Sequence, residues 1–455
     1  MKVKGILKRA AAGMLVVFCL GLVLYNVDRT VRRKDQNGIL QFDNFYKLEK
    51  NSLDVLVVGS SHVYANVNPA VWWSEYGITG YILGGMAQPT WNSYYAIQEA
   101  LKYQRPKVIV VDIIRTVESR EFADDANVLE NILGMRPSYL KWQAVKASVE
   151  KEKALSFFLG YPTYHDRYLA LEKEDCYGFK DSVMRDNFKG YQALFEQYGE
   201  EILQKDADLT LERDLNDKSK TYLLKIIQLC SEEGIPLIFV NSPMVNTSPE
   251  EQAAVNGVRK IAQEYGIPFI DGDLNYAEVG IDSEKYFADA THLNYWGSKL
   301  YTHYLGEYLI SNFQFEDKRN DPQYQSWQWN AICEERLERE AILTRGFDLE
   351  SYLNFCMEDG YECLVICDNQ QEVAEHSIVW KKFIYSGKPN VHDKSLVGEF
   401  VCVGDKEGQI EDGKLILDDI EYSLTDSTFM MIVYDNVLGR IVDVICSDGM
   451  NLYRP

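Results

Sequence analysis

The stretch LDVLVVGSSH, residues 53–62, determines the predicted fold class. Its first six residues form a near-continuous apolar run that Gly59 ends, as is typical of a strand buried on both faces of a sheet. Short apolar runs alternate with longer helical patterns as far as residue 113, and the alternation resumes from residue 217 to residue 312. The sequence therefore predicts an α/β fold built around a parallel sheet.

This alternation predicts five strands with helices between them. The predicted strands are Leu53–Val58, Thr79–Leu83, Val108–Ile113, Pro236–Val240 and Pro268–Ile270. The predicted helices are Pro69–Tyr76, Pro89–Tyr103, Lys218–Glu233, Pro249–Tyr265 and Trp296–Ser311. The pattern is that of a flavodoxin-like doubly wound sheet of five parallel strands, whose sites lie at the carboxyl ends of the strands. Residues 115–215 are charged and rich in aromatic side chains, and we predict a helical insertion there.

The 455-residue chain is long enough for more than one domain. We predict an α/β domain over residues 36–313 and a charged, tryptophan-bearing connector with one amphipathic helix over residues 314–344. From residue 345 to residue 455 the apolar period changes to two, with Gly, Asp and Asn turns between the runs. This last segment is therefore predicted to be a separate β-sandwich-like domain.

The N-terminal segment contains 18 uncharged residues, AAAGMLVVFCLGLVLYNV at positions 10–27, which is about the length needed to cross a membrane. We predict a single transmembrane helix, with residues 1–35 as the anchor and juxtamembrane segment. A cleavable signal peptide is the alternative, but YNVDR lacks the small residues of a cleavage site. Basic residues lie on both sides of the span: Lys2, Lys4, Lys8 and Arg9 before it, and Arg29, Arg32, Arg33 and Lys34 after it. The short N-terminal tail favours an extracytoplasmic body.

Charge and cysteine content exclude several classes of function. The net charge of −22 would repel a phosphate backbone, so nucleic acid is not an expected partner. The nine cysteines include no C-x-x-C pair or other zinc-like spacing, so we predict no metal site and no cofactor. Buried free thiols are expected, with pairing among Cys356, Cys363 and Cys367 as the alternative for an exported protein.

Two short segments carry candidate catalytic chemistry. In GSSH, Gly59 permits a tight turn after the first strand, and Ser61 lies just beyond it, before a predicted loop that leads to a helix. In DATHLN, residues 289–294, Asp289 and His292 are three residues apart, so one loop can present both. A serine hydroxyl needs a neighbouring imidazole to accept its proton, and a carboxylate fixes the tautomer of that imidazole. We therefore predict a catalytic set of Ser61, His292 and Asp289.

Together, GSSH after the first strand and DATH before the last helix resemble the SGNH/GDSL hydrolase superfamily over roughly residues 53–113 and 217–312. The resemblance implies that Ser61 is the nucleophile and that Asp289 and His292 are its acid and base. Within the superfamily, the chain is most similar to the membrane-anchored bacterial branch that accompanies polysaccharide and cell-wall O-acylation. The segment MMIVYDNVLGRIVDVICSDG, residues 430–449, resembles the last strands of the interleukin-like EMT inducer domain and implies a β-sandwich for binding.

The oxyanion-hole blocks depart from the family pattern. YILGGMAQPTW, residues 81–91, occupies the place of the second block, where Gly85 or Ala87 would supply the backbone N–H. The third block, G-x-N-D, is not recognisable, and the fourth strand instead ends in VNSPM. Gln88, Asn92 and Asn241 are therefore candidates for the missing amide donor.

Three further polar residues are candidate substrate-binding groups. His62 follows the nucleophile, and His165 and Arg167 lie among tyrosines in GYPTYHDRY, residues 160–168. Such a set is able to bind an anionic or sugar-like group, although a structural aromatic cluster is the alternative.

These observations lead to two competing functional hypotheses. The first is a membrane-tethered serine acyl esterase or O-acyltransferase that acts through an acyl-serine on a cell-envelope glycan or a similar ester. The resemblance implies that a membrane O-acyltransferase could supply the acyl group. The second is a catalytically degenerate SGNH fold that binds glycan, which the missing third block favours.

Overall fold

Five short parallel strands form the sheet on which the candidate site is built. They are β1 Val55–Gly59, β2 Gly80–Gly84, β3 Val108–Asp112, β4 Leu237–Asn241 and β5 Phe269–Asp271. Their order is β2-β1-β3-β4-β5, so the strand that precedes Ser61 lies between β2 and β3. The predicted flavodoxin-like doubly wound sheet is confirmed.

The computed structural model describes residues 2–31, 37–118, 121–122, 124–160, 164–171, 188–199, 209–245, 247–345, 349–368, 378–418, 420–425, 427–447 and 452–455. Cys176, three basic residues that follow the predicted span (Arg32, Arg33 and Lys34) and parts of the predicted insertion lie outside these ranges.

Helices cover both faces of the sheet. Those that follow the predicted βα pattern are Pro69–Tyr76, Thr90–Ala100, Asp217–Glu233, Pro249–Tyr265 and Tyr295–Asn312. Side chains alternate between the faces along β1: Leu56 and Val58 belong to one buried apolar cluster, and Val55 and Val57 to the other. Burial on both sides explains why the strand sequences are continuous apolar runs.

Local capping explains where two of these helices begin and end. Pro69–Tyr76 has the predicted bounds because the Asn68 side chain accepts a hydrogen bond from the N–H of Ala70, and Gly77 closes the helix with φ +69°. Pro249–Tyr265 begins in a capping box, in which Ser248 and Glu251 each bond the other's backbone N–H.

The predicted loop after Ser61 is wrong. A helix, Ser61–Asn66, begins at the serine itself because Ser60 is its N-cap. A strand that passes directly into a helix holds the first helical side chain more rigidly than a loop would.

Within the predicted insertion, the described residues are helical or irregular. They include helices Asp125–Leu133, Tyr139–Ser148 and Ala154–Leu159 and the short 3₁₀ helices Ile114–Thr116 and His165–Ala170. No strand occurs among the described residues from 115 to 215.

Other helices lie near the chain's beginning and around the DATH segment. They are Lys2–Val31, Asn37–Phe45, Tyr276–Val279, Ser283–Tyr286 and the 3₁₀ helix Pro322–Tyr324. In the first of these, the segment Lys8–Asp28 is long and apolar enough to cross a membrane, and a signal sequence would pass the same test.

The chain divides into two compact units, Met1–Ala331 and Ile332–Pro455. The boundary falls within helix Gln325–Arg345 and therefore within the predicted connector. The second unit contains strands β6 Tyr361–Cys367, β7 Pro389–Asp393, β8 Phe400–Val403, β9 Lys406–Glu411, β10 Lys414–Leu417, β11 Ile420–Ser423, β12 Phe429–Asp435, β13 Arg440–Ser447 and β14 Leu452–Tyr453.

Two sheets pack in this second unit, ordered β14-β13-β12-β6-β7 and β11-β10-β9-β8. One apolar cluster joins the two sheets and includes Ile432 of β12 and Leu415 of β10. On its other face the five-stranded sheet is covered by helices Leu349–Cys356 and Ile378–Tyr385, which the sequence did not predict. The predicted β-rich C-terminal region is confirmed, with these two helices added.

The described cysteines are all free thiols. Cys356, Cys363 and Cys367, the predicted candidates for pairing, are buried in the second unit. Burial raises the pKa of the Cys367 thiol to about 11, so this thiol stays protonated and unreactive at neutral pH.

Candidate active site

Ser61 is held at the carboxyl end of β1 by a turn that leaves its backbone little freedom. It is the first residue of helix Ser61–Asn66 and is nearly buried. The side chain of Ser60 accepts a hydrogen bond from the N–H of His62 at 3.4 Å, which stabilises the first turn. The hydroxyl of Ser61 is therefore presented from a fixed backbone at the rim of the sheet.

Two glycines make room for this turn. A Cβ at Gly59 would lie 2.9 Å from both the Cβ of Asp112 and a methyl group of Val63. A Cβ at Gly84 would lie 2.9 Å from the carbonyl oxygen of Gly59. Because the turn is wedged between β2 and β3 this closely, only glycine fits at these two positions without a shift of the backbone.

The loop that carries His292 is fastened to the same helix. The N–H of Leu293 donates to Oδ1 of Asn66 at 2.9 Å, and Asn66 is the last residue of the helix that begins with Ser61. The loop is closed on itself by a bridge between Phe287 and Leu293 and by a hydrogen bond from the N–H of Ala288 to the carbonyl of His292. These contacts fix the distance between the two predicted catalytic groups.

The structure brings Ser61, His292 and Asp289 into one hydrogen-bonded chain. Oγ of Ser61 lies 2.8 Å from Nε2 of His292. On the other side of the ring, Nδ1 lies 2.8 Å from Oδ2 of Asp289. The imidazole is 20% exposed and the carboxylate 52%, so the chain runs from the buried turn outward to solvent.

Asp289 is charged at neutral pH. Partial burial raises the pKa of its carboxyl, but hydrogen bonds from His292 and from Thr291 outweigh burial and hold the pKa well below its usual range. The N–H groups of Thr291 and His292 donate to Oδ1 at 2.7 and 2.9 Å. A carboxylate that accepts the proton of Nδ1 leaves Nε2 of His292 as the acceptor that faces Ser61.

His62 packs against the base rather than pairing with it. Its ring lies edge-on to that of His292, with 5.5 Å between the centroids. Burial, together with the charges of His292 and Arg115, lowers the pKa of His62 to about 3, so it is neutral at physiological pH. A neutral imidazole in contact with the His292 ring would not repel a positive charge on that ring.

The candidate oxyanion donors differ in what they already bind. The Asn241 amide donates to Asp271 at 3.0 Å at the end of β4, two strands away from β1. The Gln88 amide donates to Ser93 at 3.2 Å. The Asn92 side chain accepts from Ser148 at 2.6 Å, while its buried Nδ2 has no hydrogen-bond partner among the described residues.

Two candidates belong to the loop after β2. A Cβ at Gly85 would lie 1.8 Å from the side-chain oxygen of Asn131, so this position requires glycine. Ala87 has φ +46°, a left-handed conformation that is uncommon for a residue with a side chain. Unlike the side-chain amides of Gln88 and Asn241, that of Asn92 has no acceptor among the described residues, and the oxyanion donor stays a prediction.

Of the remaining substrate-binding candidates, Arg167 donates from Nη1 to the carbonyl of Val31 at 3.1 Å, at the end of the first helix. The side chain of His165 lies outside the described part of the chain.

Sequence reasoning missed two residues near the site. Asn66 holds the His292 loop, and no motif includes it. Arg115 follows β3, in the short 3₁₀ helix Ile114–Thr116. The preceding Asp112 is buried and accepts hydrogen bonds from Ser242 and Ile114; burial, its dominant influence, raises its pKa to about 6.

No protein-family model and no curated protein sequence matches the chain. Solved structures with similarity to it include a candidate acylhydrolase from Bacteroides fragilis NCTC 9343, with 13% identity, a TM-score of 0.30, and coverage of 60% of this chain and 95% of that one. A candidate lipolytic protein of the G-D-S-L family from Desulfitobacterium hafniense DCB-2 has 10% identity, a TM-score of 0.29, and coverage of 57% and 100%. An acetyl xylan esterase has 12% identity, a TM-score of 0.30, and coverage of 57% and 100%.

The motifs, the strand order and the side-chain contacts of the chain itself indicate which class of protein it resembles. GSSH ends β1 of a sheet ordered β2-β1-β3-β4-β5, and DATH precedes helix Tyr295–Asn312. Ser61, Asp289 and His292 meet at the carboxyl ends of the strands, where sites of doubly wound sheets lie. In motif, sheet order and side-chain placement the chain resembles the SGNH/GDSL hydrolases.

Proposed function

We propose that this protein is a serine acyl esterase or O-acyltransferase that is tethered to a membrane and acts on an acylated cell-envelope glycan. The observation that carries the proposal is the hydrogen-bonded chain from Ser61 through His292 to Asp289. The apolar segment Lys8–Asp28 supports the tether, which would keep an extracytoplasmic site close to the envelope. For transfer, a membrane O-acyltransferase is the proposed partner that supplies the acyl group.

The geometry supports a two-step acyl-serine mechanism. His292 accepts the proton of the Ser61 hydroxyl at Nε2 while Oγ bonds to the carbonyl carbon of the ester. The tetrahedral intermediate collapses, the ester C–O bond breaks, and the leaving alkoxide takes the proton from His292. Water or a sugar hydroxyl then attacks the acyl-serine, giving hydrolysis or transfer respectively, and His292 acts again as base and then as acid.

The second candidate function is a degenerate fold that binds glycan without turnover. The specific observation in its favour is that no G-x-N-D block is recognisable and that β4 ends in VNSPM instead. The intact contacts among the three predicted catalytic side chains support the enzyme instead, because a binding module has no need of a serine hydroxyl 2.8 Å from an imidazole.

Labelling by a fluorophosphonate probe tests the proposed nucleophile. The full chain, kept in detergent, is expected to form one covalent adduct, and peptide mass spectrometry is expected to place it on Ser61, because its hydroxyl lies 2.8 Å from Nε2 of His292. Ser231→Ala is the control, since Ser231 is an exposed serine on helix Asp217–Glu233 and its replacement should retain labelling. Absence of labelling in the wild type, or labelling that survives Ser61→Ala, contradicts the enzyme.

Asp289→Asn tests the carboxylate. The amide cannot stabilise the imidazolium of His292 as a charged group does, and we expect kcat/KM for 4-nitrophenyl acetate to fall about 10²-fold. The effect is smaller than for a fully buried acid because Asp289 is half exposed, so water screens its charge. Asp282→Asn, a surface carboxylate paired with Lys285, should leave the rate unchanged. A loss below about twofold for Asp289→Asn would exclude the assigned role.

A further inference from the structure

The end of the apolar first helix is packed against the body of the first unit. Asp28 and Val31, in its last turn, are buried, whereas the apolar turns that precede them are exposed. A Cβ at Gly160 would lie 2.6 Å from Oδ1 of Asp28. Nη1 of Arg167 donates to the carbonyl of Val31 at 3.1 Å. The first helix therefore meets the body at two segments, the short helix that ends before Gly160 and the 3₁₀ helix His165–Ala170.

Both segments also carry large apolar side chains that are exposed. Leu155 and Leu159 lie four residues apart on one face of their short helix and are 61% and 41% exposed. Tyr168 and Leu169, in the 3₁₀ helix, are 61% and 78% exposed. Large apolar side chains that gather on the surface of a folded body mark a place of contact with a protein or a membrane. We call these four residues the docking surface.

The position of the docking surface along the first helix indicates what covers it. The apolar segment ends at Asp28, so in a membrane this residue lies where hydrocarbon gives way to headgroups. Gly160, directly after Leu159, contacts Asp28. Arg167, directly before Tyr168, contacts the last residue of the same helix. The docking surface is thereby held at the depth of the membrane interface, where tyrosine rings and apolar side chains insert.

The helix that follows the apolar segment connects this side of the unit to the nucleophile turn. Helix Asn37–Phe45 packs against β2, and Oε1 of Gln41 accepts a hydrogen bond from the N–H of Gly84 at 2.6 Å. Gly84 pairs with Gly59, two residues before Ser61. A body that is fixed to the membrane through these elements therefore presents the rim that carries Ser61 in one orientation.

We propose that Leu155, Leu159, Tyr168 and Leu169 form a membrane-docking surface that inserts into the headgroup region of a phospholipid bilayer beside the first helix. The body is then held at two places instead of by a single tether, and its rotation about the end of the helix is restricted. The inference rests on the proposed membrane tether. It goes beyond the tether because it assigns the second contact to side chains of the body.

Quenching of a fluorescent label by nitroxide lipids tests the docking surface. The full-length chain is reconstituted in phosphatidylcholine–phosphatidylglycerol vesicles, with a nitrobenzoxadiazole label at Leu169→Cys. Cys19, Cys176 and Cys402 are replaced by serine, and the other cysteines are buried. Because inserted side chains lie among the headgroups, we expect headgroup nitroxides to quench this label at least about twofold more than a label at Tyr265→Cys. Tyr265 is the matched control, exposed at the end of the helix that leads to β5, the edge of the sheet opposite β2.

A label on the native Cys19, within the apolar segment, tests the tether separately. Lipids with a nitroxide in the acyl chain should quench it. Quenching at Cys19 with none at Leu169 supports the tether and overturns the docking surface, and absence of quenching at both positions rejects both. Blue-shifted emission at Leu169 without lipid quenching shows contact with a second copy of the chain and also overturns the proposal. Labelling of Ser61 by the fluorophosphonate probe is read independently of all these results.

The double variant Leu155→Glu with Leu159→Glu tests whether the apolar side chains are responsible. Both positions are exposed, so the chain should fold, and quenching of the label at Leu169 is expected to fall toward the control value because insertion depends on buried apolar area. Leu209→Glu with Leu211→Glu, at two similarly exposed leucines elsewhere in the first unit, should leave the quenching unchanged. Full quenching at Leu169 in the folded first double variant overturns the docking surface.

Discussion

Replacing His292 with asparagine is expected to lower kcat/KM for an activated acetyl ester by about 10⁴-fold while the chain stays folded. Nε2 of His292 lies 2.8 Å from the hydroxyl of Ser61, and an asparagine amide cannot accept and return its proton. The neighbouring His62 cannot substitute, because its ring packs edge-on to His292, 5.5 Å away. Steady-state rates with 4-nitrophenyl acetate measure the loss, and far-ultraviolet circular dichroism checks the fold.

His303→Asn is the matched control for this experiment. His303 lies on the surface helix Tyr295–Asn312 and pairs with Glu75, so its replacement should leave kcat/KM within about twofold of the wild type. A rate that falls equally in both variants would point to a loss of structure. A folded His292→Asn variant with nearly full activity would rule out His292 as the base.

The sheet could be predicted because each strand is buried on both faces. LDVLVV, VIVVDI and PLIFV are runs in which almost every side chain must be apolar, and no surface helix has that pattern. The observed strand ends differ from the predicted ends by up to two residues, because contacts with neighbouring strands decide where each strand begins and ends. The first strand extends to Gly59 because Gly59 pairs with Gly84 of β2, and it begins at Val55, after Asp54 has bonded to Thr79.

Helix Ser61–Asn66 could not be predicted from its own residues. SHVYAN is one and a half turns long and includes β-branched and aromatic residues, and so short a helix is not stable alone. It forms because Ser60 caps it and because it packs between β2 and the helix Tyr295–Asn312. The same packing brings Asn66 to the loop of His292, a role that no local pattern reveals.

The catalytic candidates differ from Arg115 and Trp91 in how the sequence encodes their neighbours. Asp289 and His292 lie in one short segment, so their spacing alone predicts their contact. Arg115 and Trp91 are 24 residues apart in the sequence and line the same small pocket because they follow β3 and β2, the strands on either side of β1. Their proximity depends on the strand order, which no local sequence pattern encodes.

In the second unit, tertiary packing overrides the secondary-structure preference of one short segment. IVWKKFIY, residues 378–385, has the β-branched and aromatic composition of a strand. It is nevertheless a helix, because Trp380 and Phe383, three residues apart, are both buried against the five-stranded sheet. Burial of two large side chains on one helical face outweighs the intrinsic β propensity.

Replacing Asp435 with alanine is expected to destabilise the second unit by about 3–5 kcal/mol. Asp435 is fully buried, and its Oδ2 accepts a hydrogen bond from Nε of Arg336 at 2.6 Å. Its Oδ1 accepts from the N–H groups of Val437 and Leu438 at 2.7 and 2.9 Å, which holds the turn between β12 and β13. The substitution removes the acceptor of Nε of Arg336, whose Nη2 still donates to the carbonyl of Gly360, and the acceptor of two backbone N–H groups. Unpaired donors in a buried site account for the expected loss of stability.

Hydrogen–deuterium exchange on the full-length protein measures this effect locally. Peptides from β12 and β13 should lose protection in Asp435→Ala, whereas peptides from β1 and β3 of the first unit should not change. Asp359→Ala is the control: Asp359 is fully exposed, and solvent screens its ion pair with Lys388, so protection should not change. If protection of β12 survives in Asp435→Ala, the buried ion pair is not what holds the turn. The apolar packing of Ile432 and Val433 would then account for its stability.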